Sequence, residues 1–408
     1  MNEAGRGGAD LHGERRRAHR QVVAMPFLRA GFRPFFLLGS AWAVIAIVLW
    51  LGMLAGFLDA LGDMDPVAWH QHEMLFGFTS AVVAGFILTA IPNWTGRLPV
   101  AGRALAALAS LWLLGRVALL LGGLIGAPLA ALIDTAFLFL LAGLIAREII
   151  KGSNWRNLPP ALLITLLAIA NVLFHLEHLD VIALDGFGTR IGIAALAMLI
   201  GLIGGRIVPS FTRNWLAKRQ AARLPSPFVT LDKIALLLLA IALTAWIAAP
   251  ESLASGVLLA AAGIMHAVRL SRWCGWHCLA EPLVFILHLG YAWLAIGVSL
   301  LGLANLVPAF SNLAALHALT AGAFGTMMLA VMTRATLGHT GRALTADRKT
   351  VLIFAAVTVG AIARVLSPLF ADQTWLLAAG LLWASAFLMF VLVYGPMLLG
   401  FKPLPAEH

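Results

Sequence analysis

The sequence predicts an all-α polytopic membrane protein with twelve transmembrane helices and both termini in the cytoplasm. Three observations predict it. The 408 residues are 61% hydrophobic and 11% charged, with a mean hydropathy of +0.94, far from a soluble composition. Apolar runs of membrane-crossing length recur at roughly 35–56, 73–91, 104–124, 128–147, 160–178, 190–208, 231–249, 252–268, 282–302, 311–332, 350–367 and 374–397. Lysine and arginine collect in alternate loops, which fixes the orientation.

Taken in order, residues 1–24 are rich in Gly and Arg and lack the apolar centre of a cleaved signal peptide. They read as a disordered basic cytoplasmic tail before a single membrane domain at 25–408. Arg29 and Arg33 precede the first span on the inside, and the Asp63/Asp65 loop outside has no basic residue. Arg97 and Arg103, then Arg147, Lys151 and Arg156, mark the next two inner loops. Arg190 stands alone outside; Arg206 to Lys233, Arg269 and Arg272, Arg334 to Lys349, and Lys402 fall inside. This distribution accounts for the net charge of +10 and argues against nucleic-acid binding. Two cysteines, Cys274 and Cys278, make no disulfide framework, and their order around His277 is not a c-type haem attachment sequence. In a reducing cytosol free thiols are the simplest reading, with a Cys274–His277–Cys278 metal site as the other.

A period of about 120 residues underlies the spans. The first, fifth and ninth begin at Pro34, Pro160 and Pro282; the second, sixth and tenth run into polar, basic turns; Arg103, Lys233 and Lys349 precede the third, seventh and eleventh. Three four-helix repeats in a pseudo-threefold bundle would produce this pattern. Proline at helix starts and the charge rule alone would also produce it.

The stretch from Trp69 to Arg97 carries the chemistry. It places His70, His72 and Glu73 at the outer mouth of the second span. Residues i and i+2 do not share a helix face, although at a helix entrance they can converge on one ion. His175 and His178 close the fifth span on the same side and share a face at i, i+3. His317 lies about 9 Å below the outer end of the tenth span, at 1.5 Å per residue. Five imidazoles from three helices thus share one layer, beside Glu73 and Glu177. Imidazole binds copper, iron and zinc, and neighbouring carboxylates orient it. His175 and His178 could instead cap the end of their helix. His266 reads as a core histidine, and His288, in the inner half of the ninth span, as a core histidine or a further ligand. Arg116 and Arg364, midway down their spans, require an anionic partner, with Asp134 and haem propionates as candidates. Arg97, Arg206, Arg213, Arg334 and His339 at the inner turns either bind propionates or another anion, or signal topology alone.

Trp69-His70-Gln71-His72-Glu73-Met74-Leu75-Phe76-Gly77-Phe78, Pro92-Asn93-Trp94-Thr95-Gly96 and Met332 to Arg342 resemble the NnrS family. These are bacterial inner-membrane proteins of the nitric oxide and nitrosative stress response, containing haem and copper. The resemblance runs from about Gly31 to near the C-terminus. It implies haem b, copper and nitric oxide as ligand, in a multi-pass protein of the bacterial inner membrane. A more distant comparison is to haem–copper oxidases, with twelve helices in a pseudo-threefold ring and haem ligands on the second and tenth. His72 and His317 fall on those helices, but the sixth and seventh spans contain no histidine, so the oxidase copper site is not reproduced.

Three functions follow as expectations. The first is binding or detoxification of nitric oxide, extending to reduction to nitrous oxide with electrons from an external donor. The second is a twelve-helix secondary transporter; the third is a nitric oxide sensor without turnover. For the first, the expected haem ligands are His72 and His317, with His70 as the alternative to His72, and Arg97 and Arg334 near the propionates. The expected copper ligands are His175, His178 and His70, and Glu73 and Glu177 are the expected proton carriers.

Overall fold

The computed structural model describes residues 25–370 and 372–401, and the basic tail at 1–24 lies outside them. Among the described residues there is no strand, and twelve helices are long and apolar enough to cross a membrane. They are α1 (Phe32–Leu54), α2 (Pro66–Thr95), α3 (Arg103–Leu120), α4 (Ala127–Lys151), α5 (Trp155–His178) and α6 (Phe187–Ala217). The second half comprises α7 (Thr230–Ala248), α8 (Leu253–Ser271), α9 (Pro282–Leu306), α10 (Asn312–His339), α11 (Arg348–Leu369) and α12 (Gln373–Leu399). The protein is therefore a multi-pass membrane protein. Its outer face carries exposed Leu132, Leu237, Leu352 and Leu392, as a lipid-facing surface requires.

Helix starts follow local chemistry. Asp65 caps α2 by accepting from Val67 N at 2.9 Å and Ala68 N at 3.1 Å, with Pro66 in the first turn. This cap starts α2 seven residues before its apolar run, so His70 and His72 are both helical. Ser252, Ser311, Asp347 and Asp372 cap α8, α10, α11 and α12 in the same way. At the other end of α2, Gly96 adopts φ +72° and stops the helix.

Three helices occupy the middle. In α2, α6 and α10, 72% of the most apolar stretch is buried, against 33% in α7. Each is interrupted by a π-helical segment: Glu73–Phe78, Ile200–Gly204 and Ala318–Phe324. A π turn widens the helix and leaves a carbonyl short of a partner. Each time a side chain from a neighbouring helix supplies the donor. Trp112 Nε1 donates to Gly77 O at 2.9 Å, Arg269 Nη1 to Gly201 O at 2.8 Å, and Trp383 Nε1 to Ala321 O at 3.2 Å.

The remaining helices surround these three, and α4 packs on α5, α8 on α9, and α12 back on α1. Arg33 of α1 donates to Met397 O at 3.0 Å and Leu398 O at 2.8 Å of α12. Both ends of the described chain therefore meet at one face of the bundle, here the terminal face.

Candidate metal centre and ligand cavity

At the face opposite the termini, α2 carries two separate sites. His72 is fully buried among four polar side chains from α2, α4 and α5. Its Nε2 lies 3.1 Å from Asp134 Oδ2 and 3.0 Å from Asn171 Oδ1, and its Nδ1 lies 3.2 Å from Glu73 Oε1. His175 Nε2 is 3.0 Å from the same Asp134 oxygen, to which Asn171 Nδ2 also donates at 2.8 Å. Arg116 ties the carboxylates together, donating to Glu73 Oε2 at 2.6 Å and to Asp134 Oδ1. Trp42 donates to Glu73 as well.

Local sequence explains how the group fits. Asn171 and His175 are four residues apart and so share a face of α5. The π segment beginning at Glu73 turns that carboxylate toward Arg116. Gly77 leaves the room: a Cβ there would lie 2.5 Å from Arg116 Nη1 and 2.6 Å from Glu73 Oε2.

Ligand atoms of His72, Asp134 and His175 all lie within 4.8 Å of one another, so the three can hold a metal ion. Two imidazoles and a carboxylate suit zinc, copper or iron more than Mg²⁺ or Ca²⁺. Charge balance adds a constraint. With neutral imidazoles, two buried carboxylates face one guanidinium, leaving one uncompensated negative charge. A bound cation, whether metal or proton, removes it.

The second site is a cavity of about 370 Å³ between α1, α2, α6, α10, α11 and α12. That volume falls within the range of cofactor sites. His70, His317 and Arg364 line it, together with apolar walls that include Trp50, Phe78 and Phe324. His70 stacks on Trp50 with ring centroids 3.9 Å apart, and its Nδ1 has no hydrogen-bond partner among the described residues. His317 Nδ1 lies 2.8 Å from Leu313 O, which fixes Nδ1 as the protonated nitrogen and leaves Nε2 as a lone-pair donor. Arg364 donates to Ser367 Oγ at 2.8 Å. A haem fits this donor set: imidazoles from two helices, a guanidinium for a carboxylate, and apolar walls for the ring.

The expected residues are thus regrouped. His317 shares its cavity with His70 and not with His72, whose two nitrogens are engaged in the buried cluster. His175 meets His72 and Asp134, whereas His178 is half-buried outside the cluster and His70 belongs to the other site. Glu177 accepts from Gly186 N at 2.6 Å in the α5–α6 loop and touches neither site. Arg334 sits 17 residues beyond His317 on α10, about 25 Å along the helix, too far to serve a ligand at His317. Arg97 pairs with Glu148 at the terminal face. Asp134 was foreseen as the partner of Arg116 but not as a ligand. Asn171 was missed, although its i, i+4 spacing to His175 was visible. Cys274 and Cys278 are free, buried thiols, and with His277 they do not form a converging ligand group among the described residues; burial raises the Cys274 thiol and pushes Cys278 up to about 11.

A buried, metal-ready His/Asp/His cluster beside an imidazole-lined cavity in a twelve-helix bundle defines a class, the multi-pass membrane metalloproteins. The family model described as NnrS protein matches residues 26–402, and the chain belongs to that family. No curated protein sequence matches the chain.

Proposed function

We propose that this protein handles nitric oxide with two cofactors, haem b in the His70–His317 cavity and copper at His72, Asp134 and His175. The observation that carries the reading is the division of four histidines into two differently built pairs. One pair sits in a buried network of polar partners, and the other faces open space.

Haem, when bound, supplies an iron that takes diatomic ligands and exchanges single electrons. His317 is the fixed ligand, because Leu313 O orients its ring and sets its tautomer. His70 would be the exchangeable one, because stacking on Trp50 positions its ring while its Nδ1 has no hydrogen-bond partner among the described residues. Arg364 would pair with an acidic group of the cofactor, and Phe78 and Phe324 give the cavity apolar walls. At the copper site Asn171, Glu73 and Arg116 would orient the ligands, and the single negative charge of the cluster favours a bound cation. Glu73, held by Arg116 beside His72, is the carboxylate placed to exchange protons within the cluster, whereas Glu177 lies in the α5–α6 loop away from both sites.

Nitric oxide is small and apolar, so it reaches the cavity through lipid without a polar channel. Reduction of two molecules to nitrous oxide and water would consume two electrons and two protons, the electrons coming from an external donor. The Lys/Arg distribution supports a cytoplasmic terminal face, and membership of the NnrS family supports a bacterial inner membrane as its location. The matching π segments of α2, α6 and α10, each with a donor from a peripheral helix, support a pseudo-threefold arrangement of three four-helix repeats.

A visible spectrum of the purified protein under a nitric oxide titration tests the reading. A Soret band that shifts on addition of the gas supports it, and nitrous oxide in the headspace with a reductant present separates turnover from sensing. A colourless protein that binds no iron would return the chain to the transporter reading.

A further inference from the structure

Five arginines of the membrane spans, packed within the bundle or lining its cavities, fall into two groups. Arg116 and Arg269, packed within the bundle, are each held by a carboxylate: Arg116 by Glu73 and Asp134, Arg269 by Asp232 at 2.8 Å. Arg206, Arg334 and Arg364 line cavities, and none is paired with a carboxylate among the described residues. Arg364 belongs to the cavity already described. Arg206 and Arg334 line another, of about 400 Å³, between α2, α6 and α10 at the terminal face.

This second cavity is built like a receptor for an amphiphile. Arg334 lies over the Phe211 ring, 4.1 Å from its centroid, and Glu281, the carboxylate that acts on it electrostatically, is not within ion-pairing distance. Arg206 Nη1 donates to Asn157 Oδ1 at 3.2 Å and keeps its other donors. Away from the arginines the walls become apolar. Phe86, Ile207 and Val331 continue into a narrower cavity of about 80 Å³ along the same three helices, lined by Val82, Leu196 and Met327 among others. Two cations at the mouth of an apolar channel complement an acidic head attached to a hydrocarbon body.

We infer that this cavity binds an anionic amphiphile, its phosphate or carboxylate head between Arg206 and Arg334 and its chain along the α2–α6–α10 channel. A membrane phospholipid and a free fatty acid share this chemistry.

The test uses the full chain in detergent, exchanged into mixed lipid and read by native mass spectrometry. The probes are dioleoyl phosphatidylglycerol, dioleoyl phosphatidylcholine, oleate and inorganic phosphate. The wild-type chain should retain phosphatidylglycerol or oleate about tenfold more strongly than phosphatidylcholine, the discrimination expected of charge-assisted hydrogen bonds. Retention of phosphatidylglycerol alone identifies the phospholipid, and competition by oleate identifies the fatty acid. The R206Q/R334Q double variant should lose the preference. Ala90→Phe, which narrows the same cavity without altering charge, should weaken retention of both lipids and serves if the double variant does not fold. Equal retention of neutral and anionic lipid, or binding of inorganic phosphate as tight as that of the lipid, would overturn the inference. So would loss of haem from a folded R206Q/R334Q protein, which would give the cavity to the cofactor.

Discussion

His70 and His72 stand two residues apart on one helix and live in opposite surroundings. At 3.6 residues per turn they point about 200° apart, so no single site can take both. His72 turns into the bundle, where both of its ring nitrogens meet side chains of a buried polar network. His70 turns toward the axis, stacks on an indole, and faces an open cavity with one ring nitrogen unmatched. The contrast separates two ways of preparing imidazole for a metal. A saturated network fixes ligand positions before the ion arrives and holds it against exchange. An unsaturated cavity leaves a position for something to come and go.

The largest effect expected from breaking this contrast is at Asp134. Asp134→Ala leaves two imidazoles and half of Arg116 buried without their common acceptor. Glu73 still balances the Arg116 charge, so the cost is that of buried hydrogen-bonding groups left unmatched, about 1–3 kcal/mol for each. A thermal unfolding scan should show a marked drop in midpoint, together with loss of the bound metal. A midpoint within error of wild type would mean that the network is not held together by Asp134. By comparison His70→Ala should leave stability and haem content near wild type. It should convert the iron to an open form that binds nitric oxide faster in stopped flow, and an unchanged rate would show that His70 is not the exchangeable group.

How much of this was legible in the sequence depends on the kind of signal. The twelve spans follow from hydropathy, because transfer of an apolar run into lipid depends on composition alone. The ends of α2, α6 and α10 were not legible. Hydropathy ends where Thr and Arg appear, yet the backbone stays helical through Thr95, Ala217 and His339, and Asp65 starts α2 a full two turns before the apolar run. That early start decides where His70 and His72 point, so the histidines were found and their pairing was not. The π segments were equally hidden, since they are stabilised by donors from other helices, Trp112, Arg269 and Trp383, and not by their own residues. Arg116 with Asp134 was readable because each is a charge that lipid would not tolerate alone.

Smaller effects sharpen the same division. Trp383 both lines the open cavity and caps the α10 carbonyl at Ala321. Trp383→Phe keeps an aromatic wall but leaves that carbonyl without its donor, at a cost of about 1–3 kcal/mol. The account expects a modest fall in thermal midpoint and a shifted Soret maximum, with copper content unchanged; loss of copper would show that the two sites are not independent. The smallest effect is expected at the thiols. Burial pushes Cys278 up to about 11, so the thiol stays protonated below that pH and becomes nucleophilic only above it. Alkylation of the folded protein should be slow at pH 8 and accelerate as pH rises toward 11, and a Cys274→Ser/Cys278→Ser protein should keep both metals. Rapid modification at pH 7 would contradict the buried placement.

The most direct test is a paired measurement of iron and copper per chain in His317→Ala and His175→Ala, each against wild type. The account predicts opposite losses. His317→Ala should lose its haem iron and keep about one copper, while His175→Ala should keep haem and fall to near-zero copper, because neutral imidazole ligands supply the affinity at each site. If His175→Ala loses haem while His317→Ala keeps it, or if both metals leave together from folded protein in either variant, the two-site division is wrong.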